Sequence, residues 1–170
     1  VSKISSSYMA VLSSVGTRDV KVISMVDTNL NHLIRLFHGT AKGTIPKINR
    51  NSFNRSYCGK NATVYGEGVY FAVGAAPWSI RDTYSPPDEH GNKYMYLARV
   101  AVGEFCQGDS SMRVPPAQPG TDDLLPYDAT MDNLRQPEMF VAYHDAQAYP
   151  EYLVTFDAQA YYINPEYLVA

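Results

Sequence analysis

Residues 35–40 read RLFHGT, an apolar stretch that ends in His38, Gly39 and Thr40. The run LIRLF (33–37) is short and apolar, which is typical of a buried strand. A buried strand has no need of a histidine at its end, and a simple turn would be expected to use Asn-Gly. The stretch therefore predicts a strand over 33–37 that stops at a candidate site residue, His38.

A second candidate lies in GEGVYFAV (66–73), where Tyr70 sits in a predicted strand after Gly66 and Gly68. Glycine beside a reactive side chain lets a ligand approach the backbone closely. The pattern lacks the third glycine and the βαβ context of a dinucleotide-binding fingerprint. On spacing alone, a core histidine and a core aromatic remain the favoured interpretations of His38 and Tyr70.

The remainder of the chain contains more predicted strands than helices. Their mainly antiparallel appearance favours an α+β fold over an alternating βαβ array. Helices are expected at 4–15, at 45–49 and from 76, with Pro77 in the first turn. Strands are expected at 20–26, 33–37, 68–73, 94–105 with a bulge, 139–143 and 152–156. HDAQAYPE joins the last two as a hairpin-like connection, and long loops occupy the region up to Gly66 and residues 107–127.

Composition and charge exclude several classes of protein. The chain has 170 residues, 45% of them hydrophobic, which fits one globular domain with its own core. A net charge of -3 argues against binding to nucleic acid through phosphate contacts. There is no apolar run of membrane-spanning length and no signal-peptide pattern, so we expect no membrane contact. Cys58 and Cys106 form no disulfide framework, and the histidines show no metal-ligand spacing: His32, His38, His90 and His144.

We therefore expect one domain over residues 1–170 in a reducing, intracellular location, in the nucleus, the cytoplasm or both. The chain begins with Val, and we interpret it as a piece of a larger multidomain protein. One oddity is that DAQAYPEYLV (145–154) recurs as DAQAYYINPEYLV (157–169). Only one copy can form the final strand of a given sheet. One interpretation of the other copy is that it is a cloning artefact.

Several separated motifs, in order, resemble the catalytic domain of the poly(ADP-ribose) polymerase family. They are HGT (38–40), GEGVYFA (66–72), MYLARVAVGEF (95–105) and AYPEYLVTF (148–156). The pattern is nearest to the macrodomain-linked members that transfer single ADP-ribose units, whereas residues 1–30 are atypical. The resemblance implies an ADP-ribosyltransferase fold, in which two mainly antiparallel sheets pack together with flanking helices around an NAD cleft.

The resemblance also implies roles for individual residues at the NAD site. His38 matches the histidine that hydrogen-bonds the nicotinamide ribose, and Gly39 would offer its backbone to the carboxamide, with Thr40 beside it. Tyr70 matches the tyrosine that packs on the nicotinamide and its ribose. Two further matches follow after one extra residue: Ser79, which would bond the carboxamide, and Tyr84, which would stack on the ring. The loop around Pro46–Gly66 would cover NAD.

The third catalytic position departs from the polymerising members, which carry glutamate there. Alignment on AYPEYLVTF puts Met139 at this position. A thioether is only a weak acceptor and takes no proton, so it cannot activate an acceptor hydroxyl for chain elongation. Glu138 should face away from the cleft because neighbouring strand residues alternate, and Glu151 lies past the connecting segment. We expect neither to replace the missing carboxylate.

The resemblance therefore implies a protein mono-ADP-ribosyltransferase that uses NAD as substrate and no metal. The acceptor would be a protein Asp or Glu side chain that brings its own carboxylate, with no nucleic acid involved. Two alternatives remain open. One is a catalytically silent fold that binds NAD weakly or not at all. The other is an interaction module with a tyrosine-rich contact surface.

Overall fold

The computed structural model describes residues 11–14, 33–57, 63–122 and 124–157. Their strands are β1 (Val11–Ser14), β2 (Leu33–Thr40), β3 (Val69–Ala72), β4 (Asn92–Ala101), β5 (Phe105–Gln107), β6 (Ala129–Met131), β7 (Met139–Ala142) and β8 (Ala148–Asp157). One α-helix, α1 (Ile45–Asn51), has Pro46 in its first turn, where a missing N–H does no harm. Short 3-10 helices cover Lys42–Thr44, Arg55–Tyr57 and Asp145–Gln147.

The strands form one eight-stranded sheet in the order β1-β8-β4-β2-β3-β7-β6-β5. All neighbours are antiparallel except β5 and β6, so the predicted α+β class with mainly antiparallel strands is confirmed. The expected two sheets are joined within the described residues. Their junction is a single backbone pair between β2 and β3, Phe37 with Ala72.

Both faces of the central strands are buried, because successive side chains of a strand point to opposite sides. On β2, Leu36 belongs to a core cluster with Ile48, Phe53 and Phe71. The next residue, Phe37, belongs to a second cluster on the other face, together with Ala72, Ala75, Met95, Leu97, Val154 and Phe156. Apart from the exposed Arg35, the run LIRLF is apolar, as expected for a strand that is buried on both faces.

Two sequence predictions about strands are wrong. β2 does not stop at His38, since His38, Gly39 and Thr40 continue the ladder with β4. The hairpin predicted between 139–143 and 152–156 does not form either. β7 pairs with β3 and β6, whereas β8 crosses to β4 and β1. The segment between them instead contains the 3-10 turn Asp145–Gln147.

A bulge was predicted within 94–105, but the irregularity in the pairing of β4 with β8 puts the extra residue on β8. Leu97 pairs with Tyr152 and Ala98 with Pro150, so Glu151 is the extra residue on β8. Proline has no N–H to give to the ladder, which accounts for an irregularity beside it. β4 ends at Ala101, and β5 is a separate strand, so the predicted single strand to 105 is too long.

Two predicted helices are also corrected. Residues 11–14 of the predicted helix 4–15 form β1, which pairs with β8. At Ala75–Ser79 the chain forms a π-helical turn with an extended residue, Ala76, because the residue before a proline is disfavoured in the helical region. The strand predicted at 20–26 and the second copy of the repeat lie outside the described residues. No described helix is long and apolar enough to cross a membrane.

Candidate active site

A cavity of about 450 Å³ opens between the ends of β2 and β3. Its walls include α1, the loop after α1 and the segment that follows β3. Every site residue expected from the sequence lines it: His38, Gly39, Thr40, Tyr70, Ser79, Tyr84 and Met139. The structure thus brings together residues that are as much as 101 positions apart in the chain, from His38 to Met139.

His38 is held in a defined tautomer at the border of β2 and β3. Its Nδ1 lies 2.8 Å from the backbone oxygen of Tyr70. A carbonyl oxygen only accepts, so Nδ1 carries the proton and Nε2 presents a lone pair in the neutral ring. Phe53 contacts the imidazole edge-on and Phe71 contacts it at a tilt, with centroid distances of 5.0 and 5.4 Å. Burial among these rings lowers the pKa of His38, and the neutral form is favoured.

The hydroxyl of Tyr70 is bonded to the loop that precedes β3. It accepts the backbone N–H of Tyr65 at 2.9 Å and donates to the backbone oxygen of Gly66 at 2.8 Å. Burial raises the pKa of Tyr70 to about 12. The hydroxyl is therefore neutral across the physiological range and fastens the loop, while the ring contributes to the cavity wall.

Gly39 is required by close packing within the protein as well as by any ligand. A Cβ atom at this position would lie 2.6 Å from the backbone oxygen of Ser79 and 3.2 Å from atoms of Tyr84. Such a contact is too short for any side chain. The absence of a side chain lets the segment 79–84 lie directly against β2. This is a reason for glycine that the sequence alone did not reveal.

The same segment is fastened to β4 by a buried lysine. Lys93 is 5% exposed, and its ammonium group bonds the backbone oxygen of Ile80 and, at 2.8 Å, the carboxylate of Asp82. Its ammonium also lies 5.8 Å from the centre of the Phe156 ring. Ser79 ends the π-helical turn Ala75–Ser79, and both Ser79 and Tyr84 line the cavity.

The range around Pro46–Gly66, which the sequence assigned to a loop over NAD, contains most of α1, and α1 with the turn before it forms one wall of the cavity. Thr44, Lys47, Ile48 and Asn51 all line it. Their i, i+3, i+4 and i+7 spacing places them on one helical face, and this spacing was the available signal. Tyr96 fixes the helix, because its hydroxyl donates to the side chain of Asn49 at 2.5 Å.

Sequence comparison now assigns the chain to a family. The profile of the poly(ADP-ribose) polymerase catalytic domain matches residues 17–122, more than half of the chain. The chain belongs to the poly(ADP-ribose) polymerase catalytic-domain family. Human protein mono-ADP-ribosyltransferase PARP14 is 52% identical over 122 residues, which is 72% of this chain and 7% of that protein. Mouse protein mono-ADP-ribosyltransferase PARP10 is 43% identical over 120 residues, 71% of this chain and 12% of that protein.

The chain thus spans a small part of the length of these family members. Among solved structures, the PARP domain of Arabidopsis RADICAL-INDUCED CELL DEATH1 superposes with a TM-score of 0.58 at 19% identity. The superposition covers 77% of this chain and 69% of that domain. At this identity the similarity concerns the fold alone, and it agrees with the α+β architecture described above.

At the position where polymerising family members are expected to carry glutamate, Met139 begins β7 opposite Ala72. It is 8% exposed and lines the cavity. Its neighbour Glu138 is exposed and does not line the cavity. The Glu138 carboxylate instead accepts the indole N–H of Trp78 at 3.1 Å. Trp78, which sequence reasoning did not assign to the site, lines the cavity itself.

The carboxylate of Glu151 forms salt bridges with Arg35 of β2 and Arg99 of β4. Arg35 donates to it through Nε and Nη2 at 2.8 and 3.0 Å, and Arg99 donates at 2.6 Å. These hydrogen bonds, that of Arg35 first, lower the pKa of Glu151. The carboxylate is therefore ionised and stabilises two guanidinium groups that lie directly opposite each other. The described residues include no cluster of three or more His, Cys, Asp or Glu placed to hold a metal ion.

Proposed function

We propose that this domain is an NAD-dependent protein mono-ADP-ribosyltransferase. The observation that carries the proposal is the meeting of His38, Tyr70 and Met139 on one cavity, with an apolar side chain in the third position. The neutral His38 offers Nε2 as an acceptor for a ribose hydroxyl, as the family resemblance implies. Gly39, Ser79 and Tyr84 lie together on the cavity wall, where the resemblance implies that the nicotinamide ring and its carboxamide bind.

In the proposed reaction, the bond between the ribose anomeric carbon and the nicotinamide nitrogen breaks. The electron pair leaves with nicotinamide and neutralises its pyridinium charge. An ionised Asp or Glu carboxylate of the acceptor protein attacks the anomeric carbon and forms an ester, so no proton has to be removed. The domain contributes positioning and a shaped site from which water is displaced.

Restriction to a single unit follows from the surroundings of Met139. Elongation needs a base to deprotonate a ribose hydroxyl, and a thioether provides none. Neither Glu138 nor Glu151 lines the cavity, and both have other partners: Glu138 accepts from Trp78, and Glu151 pairs with Arg35 and Arg99. Protein acceptors with their own carboxylate avoid this requirement.

Intact-mass measurement after incubation with NAD tests the proposal. We expect discrete additions of single ADP-ribose units to the domain or to an added acidic protein, and their loss in His38→Ala. Ladders of polymer would contradict the mono-transfer proposal. Glu138→Gln and Glu151→Gln serve as controls, because both should retain transfer if neither acts as the base.

A silent fold is the second candidate, and the apolar Met139 is the observation that favours it. The two candidates differ in ligand binding as well as in turnover. Thermal stabilisation by NAD without any mass addition, across several acceptor proteins, would favour a binding domain. If neither NAD nor benzamide raised the melting temperature, the result would favour an interaction module.

A further inference from the structure

The backbone of Tyr65 is held by the hydroxyl groups of one neighbouring residue and of two residues far along the chain. On one side, Tyr70 accepts its N–H at 2.9 Å. On the other, Thr130 donates from Oγ1 to its carbonyl oxygen at 2.8 Å. Tyr143 approaches the same oxygen at 3.4 Å and lies 3.0 Å from the Thr130 hydroxyl. We call the three side chains Tyr70, Thr130 and Tyr143 the hydroxyl clamp.

The carbonyl of Tyr65 can only accept, so Thr130 donates its hydroxyl proton to it. A carbonyl oxygen has two lone pairs, and the Tyr143 hydroxyl can donate either to the same oxygen at 3.4 Å or to Thr130 at 3.0 Å. Thr130 is 0% and Tyr143 is 2% exposed, so water does not compete for these bonds. A buried hydroxyl without its partner is costly, so loss of either hydroxyl should weaken the hold on Tyr65.

The backbone on both sides of the hydroxyl clamp is tightly packed, with no room for a side chain at Gly66 or at Gly108. Gly66 has a φ of +125°, and a Cβ there would lie 1.8 Å from the hydroxyl oxygen of Tyr143. From the other side, a Cβ at Gly108 would lie 2.2 Å from the backbone oxygen of Tyr65. The segment is therefore enclosed by β6, by the residue after β7 and by the residue after β5.

This segment forms part of the cavity wall. Thr63, Val64 and Tyr65 line the cavity, and they end the loop that begins at α1. Neither Thr130 nor Tyr143 lines it, and neither was a candidate in the sequence. We propose that Thr130 and Tyr143 are positioning residues that hold the end of this loop in place and so set the affinity for NAD. The link to NAD rests on the proposed function, whereas the effect on the loop does not.

The test compares Thr130→Val with Thr121→Val in the purified domain. Both replacements remove a threonine hydroxyl that donates to a backbone oxygen, but Thr121 bonds Gln118 within a loop that does not line the cavity. Amide hydrogen exchange of residues 63–68 is followed without ligand. We expect exchange to accelerate by about fivefold in Thr130→Val and in Tyr143→Phe, and to stay unchanged in Thr121→Val. Thr130→Ser, which keeps the hydroxyl, should restore the slow exchange.

Affinity is then measured with NAD and with benzamide, which represents the nicotinamide ring alone. We expect the NAD dissociation constant to rise about fivefold in Thr130→Val, with that of benzamide unchanged. Unchanged exchange, or faster exchange with unchanged NAD affinity, would overturn the proposal. An equal loss for benzamide would also overturn it, because it would indicate general loosening. If the unmodified domain bound no NAD, the proposed function would fail, while faster exchange in Thr130→Val would still support the positioning of the loop.

Discussion

The Nδ1 atom of His38 lies 2.8 Å from the backbone oxygen of Tyr70, so a side chain of β2 bonds the main chain of β3 inside the cavity. The two strands share only one backbone pair, Phe37 with Ala72. Beyond that pair they separate, and the imidazole spans the gap between them. The residue expected to contact NAD is thus also a structural link between two strands.

The first prediction concerns protonation of His38. Burial lowers its pKa below the ordinary value of 6.5, so the native state binds fewer protons at this site than the unfolded state. The stabilisation by neutral His38 is complete above pH 6.5 and is lost as the pH falls through the native pKa. An NMR titration of the His38 ring should give a pKa below 6.5. A value above it would contradict the burial of a neutral ring described here, and His38→Gln identifies the signal.

The second prediction compares two glycines. Gly39→Ala should destabilise the domain by about 1–3 kcal/mol because the new methyl meets the backbone of Ser79. Gly43→Ala should change stability little, since no atom lies within 4 Å of a Cβ there. Urea denaturation of both variants measures the difference. Equal stability of the two would show that segment 79–84 does not lie against β2 as described.

The third prediction tests Met139 as an apolar wall. Met139→Leu conserves volume and should cost less than about 1.5 kcal/mol of stability. Transfer of single units should continue at a rate within about twofold, because neither side chain exchanges protons. Nicotinamide release and intact mass are the measurements. A tenfold loss of rate would indicate that the thioether itself contributes, and the proposed role of position 139 would have to change.

The fourth prediction concerns Lys93, which fastens the segment containing Ser79 and Tyr84. Lys93→Met keeps the length of the side chain but leaves the backbone oxygen of Ile80 without its partner. We expect a loss of about 1–3 kcal/mol in stability and weaker binding of benzamide. Lys42→Met provides the matched control, because Lys42 pairs with Asp88 and Glu89 away from the cavity. Equal effects of both variants on benzamide binding would contradict the assignment.

The fifth prediction concerns acid stability. The hydrogen bonds from Arg35 and Arg99 lower the pKa of Glu151 below its ordinary 4.5, so its contribution is present above pH 4.5 and lost as the pH falls through the native pKa. Glu151→Gln should cost about 1 kcal/mol at pH 7, since these pairs are partly exposed, and less at pH 3. Thermal denaturation at the two pH values measures this. A cost that is independent of pH would mean that the charge of Glu151 is unimportant.

Local patterns were sufficient for part of the fold. The apolar runs at 33–37 and 68–73 and the punctuated segment 45–49 predicted β2, β3 and α1, because each pattern reflects the burial of its own side chains. Pairing is not local, and this explains the failures. Residues 11–14 fit a helical face but pair with β8, and the apparent hairpin at the end splits between the two halves of the sheet.

The motifs predicted the residues that line the cavity, but they did not predict the residues that hold those cavity residues in place. HGT and GEGVYFA point to the cavity because their residues contact it directly. Thr130 and Tyr143 left no such signal, since they are 65 and 78 positions from the backbone oxygen that they approach. Trp78 was visible in the sequence, but its bond with Glu138 depends on how the chain turns at Ala75–Ser79.

The narrow junction between β2 and β3 also has a consequence for how this domain can change over generations. Replacement of most ligand-binding residues affects activity and leaves folding intact, so such sites can drift once activity is no longer selected. Here His38 adds a hydrogen bond between two strands whose edges share a single backbone pair. A related domain that lost catalytic activity would still be selected to keep His38 for folding. The presence of this histidine in a family member is therefore weak evidence that the member is active.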